Sequence, residues 1–223
     1  MPLVLVSSKR FVDHVTPVGH PERAERAEVF EAVARQFDDD GGRVVEPRMA
    51  TDDDLGRVHT REHIAAIAAT RGKATMIDED TFTSPDSDEI ARLAAGAVLT
   101  GVDQVLDGPP RSRALVMVRP PGHHAEAGRG MGFCLYNNIA VGAAYARSRG
   151  CARVAIVDYD VHHGNGTQWM FYEDPTVLFV SSHQYPFYPG TGAASEKGRG
   201  AGLGFTLNLP LDAGAMDAEI EDR

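Results

Sequence analysis

Continuous apolar runs alternate with helical patterns along this chain, and this alternation constrains the fold most strongly. Runs such as ALVMV (114–118), VAIV (154–157) and VLFV (177–180) lack the polar residue at every second position that marks a half-exposed strand. Strands of this kind are typical of parallel sheets that helices cover on both faces. We therefore predict one α/β domain over residues 1–223, with three αβα layers and a mostly parallel central sheet.

Helical patterns fill the segments between these runs. Residues 16–37, 84–106 and 137–150 have apolar side chains at helical spacing, and Pro21 suits a first helical turn. Thr51 and Asp54 have the spacing of a capping box, and Thr60 is a second candidate N-cap. In sheets of this class, ligands bind beyond the carboxyl ends of the strands.

Charge and composition exclude several classes of function. The 223 residues have a net charge of −10, which argues against nonspecific nucleic-acid binding because that needs a basic surface. Two cysteines are too few for a disulfide framework, and no segment has the length of a membrane span. We expect a cytoplasmic protein with no direct nucleic-acid or membrane partner.

The stretch VDYDVHHGNG (157–166) directly follows a predicted buried strand. Asp158, Asp160 and His162 alternate, which would place their side chains on one side of an extended backbone. Such residues can be ordinary strand-end caps. Grouped carboxylates in a cleft repel one another without a cation, however, and Asp and His are good ligands for divalent metals. The pattern favours a metal site.

A second strand end carries His123 and His124, in RPPGHHAE. A surface histidine pair would be the simpler interpretation of this dipeptide alone. The presence of histidines at two strand ends favours function, because an imidazole beside a metal-activated water is a suitable general base.

Two glycine-containing loops offer candidate substrate contacts. Gly132 permits close backbone approach, and Phe133 and Tyr188 could line a slot or simply pack or stiffen their loops. The segment GRGAGLG (198–204) precedes a strand instead of a helix, so it does not predict a nucleotide site.

Four motifs together resemble the zinc-dependent histone deacetylases and acetylpolyamine amidohydrolases, with a class II-like, bacterial character. They are GHPERAER (19–26), RPPGHHAEAGRGMGFCLYNN (119–138), VDYDVHHGNGTQ (157–168) and SSHQYPFYPGTG (181–192). The resemblance implies an arginase-like αβα fold and hydrolysis of an acetylated lysine or polyamine, and it extends to about residue 210. The family pattern continues beyond residue 223 with a third zinc ligand and a catalytic tyrosine, so we expect the chain to be an incomplete deacetylase domain.

The resemblance also implies roles for individual residues. Asp160 and His162 correspond to two zinc ligands, His124 to the general base, and His123 to its electrostatic partner. Asp158 would support His123, and Asn165 would orient His124. Gly132, Phe133 and Tyr188 correspond to the walls of a substrate tunnel. Structural K⁺ sites are implied at Asp158, Asp160, His162, Ser181 and Ser182, and at Phe171, Asp174, Val177 and Phe205.

Two alternatives to an active deacetylase remain open from the residues alone. An arginase-like ureohydrolase would hold two metal ions and would need more aspartates at the strand ends. A catalytically incomplete domain could instead bind an acylated ligand or a partner chain, including a second copy in a homo-oligomer. Asp212 and Asp217 follow the last predicted strand in a context that does not match the family's later zinc ligand.

Overall fold

Parallel strand pairing organises the structure, a computed structural model that describes residues 2–216. The helices are α1 (Glu25–Asp39), α2 (Asp52–Leu55), α3 (Arg61–Ala68), α4 (Ser87–Leu106), α5 (Asn138–Ser148) and α6 (Asn165–Phe171). The strands are β1 (Leu3–Val6), β2 (Arg43–Val45), β3 (Thr75–Met76), β4 (Phe82–Thr83), β5 (Arg113–Val116), β6 (Val154–Asp158), β7 (Val177–Gln184) and β8 (Thr206–Leu211). The chain divides into two units, Met1–Tyr145 and Ala146–Arg223.

The first unit contains a parallel sheet in the order β2-β1-β5. Helix α4 is buried along most of its length, and its residues Ile90 and Leu93 pack with Val4, Val6 and Phe11 in one apolar cluster. Such burial stabilises the unit through the hydrophobic effect, at roughly 25 cal/mol per Å² of apolar surface. The predicted α/β class and parallel pairing are confirmed in this unit.

Local capping explains where helices α2 and α3 begin. Thr51 Oγ1 accepts the Asp54 N–H and the Asp54 carboxylate accepts the Thr51 N–H, so the predicted capping box is confirmed. Thr60 likewise caps α3 by accepting the His63 N–H.

Helix α1 begins at Glu25, whereas the sequence pattern placed its start near residue 16. The intervening residues form turns because side chains bond the local backbone there. Thr16 Oγ1 donates to the Glu22 carbonyl, and the Glu22 N–H donates to His20 Nδ1. The short strand β2 and the antiparallel hairpin β3–β4 were not predicted.

The second unit contains a parallel sheet in the order β6-β7-β8. One face carries apolar side chains that are exposed, among them Val157, Leu178 and Leu207. Within the part of the chain that the structure describes, this face of the sheet is therefore open. Alternate residues of β7, Val177 and Phe179, are buried on the opposite face, so the described helices cover only one side.

No helix among residues 2–216 combines the length and apolar character that a bilayer span requires.

Candidate functional site

The aspartates and histidines that follow β6 are grouped by turns. The strand ends at Asp158, and the Asp158 carboxylate accepts the Asp160 N–H at 3.2 Å. The Asp160 carboxylate in turn accepts the His162 N–H at 2.8 Å. Two successive aspartate turns of this type therefore replace the extended segment expected from the alternating pattern.

This turn geometry brings two potential metal donors together. Oδ1 of Asp160 lies 3.2 Å from Nδ1 of His162, and both side chains are partly exposed to solvent. Two corners of a zinc tetrahedron are separated by about 3.3 Å when the ligand bonds are about 2.0–2.1 Å long. The Asp160–His162 pair therefore fits two coordination positions of a zinc ion. Among residues 2–216, no group of three or more His, Cys, Asp or Glu side chains is arranged to hold a metal ion.

Aromatic rings from the loop after β7 pack against His162. The Phe187 ring stacks on the imidazole with a centroid distance of 5.1 Å and an interplanar angle of 10°. The Tyr188 ring meets it edge-on at 5.8 Å. The loop thus restrains the His162 ring and places Tyr188, a predicted substrate contact, beside it.

A buried polar network, which the sequence motifs do not indicate, lies directly behind this segment. His163 Nδ1 lies 2.8 Å from Thr191 Oγ1, and His163 Nε2 lies 3.0 Å from Gln168 Oε1. Burial, and then the neighbouring His183, lower the pKa of His163 to about 4. The imidazole is therefore neutral at pH 7 and anchors the turn.

Gly192 closes the same network. Its φ is +95°, and a Cβ there would lie 2.3 Å from His183 Nε2 and 2.6 Å from His163 Cγ. His183 Nε2 lies 2.9 Å from the Gly192 carbonyl oxygen. Only glycine allows the loop to approach both imidazoles. The glycines of GTG (190–192) are the sequence feature that could have indicated this close packing.

The remaining predicted residues of this unit occupy defined positions. Asn165 is buried at the first position of α6, and Ser181 is the register partner of Asp158. The Asp174 carboxylate accepts hydrogen bonds from the Thr176 backbone N–H and hydroxyl. The other residues of the expected K⁺ sites lie in or next to regular elements. Phe171 is the last residue of α6, Val177 is the first residue of β7, Ser182 lies within β7, and Phe205 directly precedes β8.

The first unit holds His123 and His124 at the exit from β5. Their ring centroids lie 4.0 Å apart with an interplanar angle of 44°, and His124 is buried. The Asn137 amide donates to the Ala125 carbonyl at 3.1 Å, and the Asn138 amide donates to the Pro120 carbonyl at 3.1 Å. These bonds fix the backbone on both sides of the histidine pair.

Gly132 and Phe133 form a tight turn against His124. Both have positive φ, +55° and +69°, and Met131 and Cys134 exchange backbone hydrogen bonds across them, as in a two-residue hairpin turn. The Phe133 N–H donates to Thr81 Oγ1 at 3.0 Å. A non-glycine residue in the left-handed region is strained, and such strain concentrates at functional sites.

The predicted site residues thus form two groups. His123, His124, Gly132 and Phe133 belong to Met1–Tyr145, and the others belong to Ala146–Arg223. Contacts within each unit join some of these residues, namely Asp160 with His162 in one and His124 with Gly132 in the other. Asp217, which we did not assign as a ligand, lies outside the described residues.

Comparison with known proteins finds deacetylases among the relatives of this chain. The model of the histone deacetylase domain matches residues 20–222. A probable deacetylase of Archaeoglobus fulgidus is 39% identical over 216 residues, which are 96% of this chain and 60% of that protein. The polyamine deacetylase HDAC10 of Homo sapiens is 42% identical over 182 residues, covering 76% of this chain and 27% of that protein.

A solved structure supports the same assignment. The crystal structure of the HDA15 HD domain matches with a TM-score of 0.88 and 37% identity, over 96% of this chain and 63% of that chain. The chain therefore spans somewhat less than two thirds of both the archaeal relative and this structure. The predicted deacetylase-like α/β fold is confirmed by this likeness. The chain belongs to the histone deacetylase family.

Proposed function

We propose that this chain contributes to a zinc-dependent amide hydrolase that removes acetyl groups from lysine side chains or polyamines. The observation that carries the proposal is the 3.2 Å separation between Asp160 Oδ1 and His162 Nδ1, which suits two zinc positions. Zn²⁺ held there would supply Lewis acidity, which polarises the acetyl carbonyl and acidifies the attacking water. The chain would be the N-terminal and central part of a single deacetylase domain.

The histidines at the β5 exit would perform the proton transfers. His124 would accept the proton of the attacking water, and His123 would stabilise the developing charge beside it. Asp158 would hold His123, and Asn165 would orient His124, since such contacts set the tautomer and direction of an imidazole. The fixed backbone around residues 120–125 supports these roles, because acid–base catalysis depends on a preset geometry.

Substrate binding would use the strained turn and the aromatic loop. Gly132, Phe133 and Tyr188 would flank the aliphatic part of the acetylated amine. Relatives named for polyamine deacetylation support an amine of this kind. We also propose the K⁺ sites described above, a cytoplasmic location and assembly into a homo-oligomer. The deacetylase relatives favour this function over the ureohydrolase alternative.

Turnover of an acetyl-lysine peptide and of an N-acetylated polyamine, with and without a zinc chelator, tests the proposal. Substitution His124→Ala should reduce kcat by about 10²–10⁴-fold, the usual contribution of a general base, while zinc content stays unchanged. Asp53→Asn, an exposed change on α2, is the matched control. Chelator-insensitive turnover, or normal turnover by His124→Ala, would refute the proposal.

A further inference from the structure

The backbone segment that carries His123 and His124 starts at a fully buried ion pair. Arg119 Nε and Nη2 donate to Glu22 Oε1 and Oε2 at 2.6 and 2.8 Å, and both side chains have 0% exposure. Arg119 Nη1 also donates to the Phe11 carbonyl at 2.6 Å. Three nitrogen donors of the Arg119 guanidinium are therefore fixed by Glu22 and Phe11, which lie about a hundred positions earlier in the chain.

Arg119 is the main charged partner of Glu22, because the other ionisable groups near Glu22 interact with it more weakly. His14 Nε2 lies 3.5 Å from Glu22 Oε2, but burial lowers the pKa of His14 to about 4, so the imidazole is neutral at pH 7. Arg26, which is half-exposed, reaches Glu22 Oε1 only at 3.6 Å. The Glu22 charge is thus directed chiefly at Arg119.

Stability alone does not account for such a pair. Dehydrating two charges costs several kcal/mol, and apolar replacements of buried ion pairs are often neutral or stabilising. A bidentate Arg–carboxylate contact does, however, fix direction and distance better than apolar packing. Its value is therefore greatest where a backbone position must be held within narrow limits.

The ion pair fixes the start of the backbone segment that carries His123 and His124. Arg119 lies four residues before His123, and the segment is held again at the Pro120 carbonyl by Asn138 and at the Ala125 carbonyl by Asn137. Gly122 packs so closely that a Cβ there would lie 2.6 Å from the Asn138 backbone nitrogen. The ion pair is the upstream member of this set of restraints.

We propose that Glu22 and Arg119 are positioning residues, whose buried ion pair sets the placement of the backbone that presents His123 and His124. This inference rests on the proposed function for the catalytic consequence, because it assigns the acid–base roles to these two histidines. The restraint on the backbone itself is independent of turnover.

The test compares the full chain with the double variant Glu22→Met/Arg119→Met, which removes both charges at similar volume. Hydrogen exchange of peptides covering residues 119–126 should accelerate by about tenfold or more, while the thermal midpoint and exchange elsewhere stay close to wild type. Where turnover is measured, kcat should fall by about 10–100-fold with little change in KM. Arg48→Met, which removes the bidentate partner of Asp54 in the same unit, should leave exchange in 119–126 unchanged.

A second, milder variant keeps the inference testable if the double variant does not fold. Glu22→Asp retains the charge but shortens the reach by one methylene, so it should accelerate exchange in 119–126 to a smaller extent. Unchanged exchange in that segment, in whichever of the two variants folds, overturns the inference. Faster exchange with unchanged kcat would keep the restraint on the segment but overturn its catalytic consequence, while the acid–base roles themselves are tested separately by His124→Ala.

Discussion

Gly132 lies so close to His124 that no other residue fits at its position. A Cβ on Gly132 would lie 2.4 Å from Cδ2 of the imidazole, and the backbone φ of +55° is itself unfavourable for residues with a side chain. The turn and the proposed base are therefore packed as one unit, and the ring direction of His124 depends on the absence of a single methyl group.

Substitution Gly132→Ala should displace the His124 ring or open the turn. We expect the free energy of unfolding to fall by about 1–3 kcal/mol, from backbone strain and steric overlap together. Turnover by the active protein should fall at least about tenfold, because misplacement of a proton acceptor is costly. Chemical denaturation and steady-state kinetics measure the two effects. Gly128→Ala is the control, since no atom lies within 4 Å of its Cβ position, and equal behaviour of the two variants would contradict the steric argument.

The stacking of Phe187 on His162 should strengthen metal binding. Phe187→Ala removes the ring that restrains the imidazole, so we expect zinc affinity to fall by about tenfold, at the lower end of effects seen for groups that orient metal ligands. Competition with a chromophoric zinc chelator measures the affinity. Tyr159→Ala is the matched control: it removes another aromatic ring of the same unit, which is 86% exposed, and it should leave the zinc affinity unchanged. Equal affinities for Phe187→Ala and wild type would show that the stacking does not orient the ligand.

Stability should decrease in mild acid because His59 is buried in its neutral form. His59 Nδ1 lies 3.1 Å from the Glu126 carbonyl and His59 Nε2 accepts the Asn137 N–H, so the second proton would remove an acceptor. Burial, and then the neighbouring His63, lower the pKa of His59 from 6.5 to about 3. A lowered pKa means that the unfolded chain binds the proton first. The stabilisation is therefore complete above pH 6.5 and is lost as the pH falls from 6.5 toward 3.

Urea denaturation between pH 7.5 and 4 checks this expectation. His59→Gln should lower stability at pH 7 but reduce the slope of stability against pH between 6.5 and 4. An identical slope in the variant and wild type would contradict the assignment of the acid sensitivity to His59.

The exposed apolar face of the β6-β7-β8 sheet should promote self-association. Val157 is 66% exposed and Leu207 is 47% exposed, and both project from the same face because they share the register partner Val180. Val157→Thr combined with Leu207→Thr should reduce concentration-dependent association, as measured by light scattering. Val29→Thr, at a 60% exposed valine on α1, is the control. Unchanged association in the double variant would contradict a role for this face.

Local sequence patterns predicted much of the fold because their causes are local. The capping box of α2, the N-cap of α3, the long helix α4 and the apolar runs that form β5 to β7 depend on neighbouring residues. The aspartate–histidine spacing likewise predicted that Asp160 and His162 lie on one side of the backbone, and their side chains do meet. The start of α1 was misplaced because turn-forming side-chain bonds at Thr16 and His20 outweigh helical periodicity.

Contacts between distant residues were not predictable from the chain alone. Arg119 and Glu22 are 97 positions apart, and His163 meets Thr191 across 28 positions. The burial of Arg119 could not be expected from the sequence, because arginine is usually exposed. The burial of His163 could not be expected either, because a histidine next to His162 looks like another metal ligand. These contacts nevertheless support the residues that the motifs identified.

Zinc content measured by elemental mass spectrometry, with acetyl-lysine turnover in the same dialysed samples, tests whether Asp160 and His162 hold the catalytic metal. We expect zinc to bind to the wild-type protein, and we expect Asp160→Ala and His162→Ala each to lose the metal and the turnover together, while Asp53→Asn retains both. Retention of zinc and turnover by Asp160→Ala and His162→Ala would contradict the claim that these two side chains hold the catalytic metal.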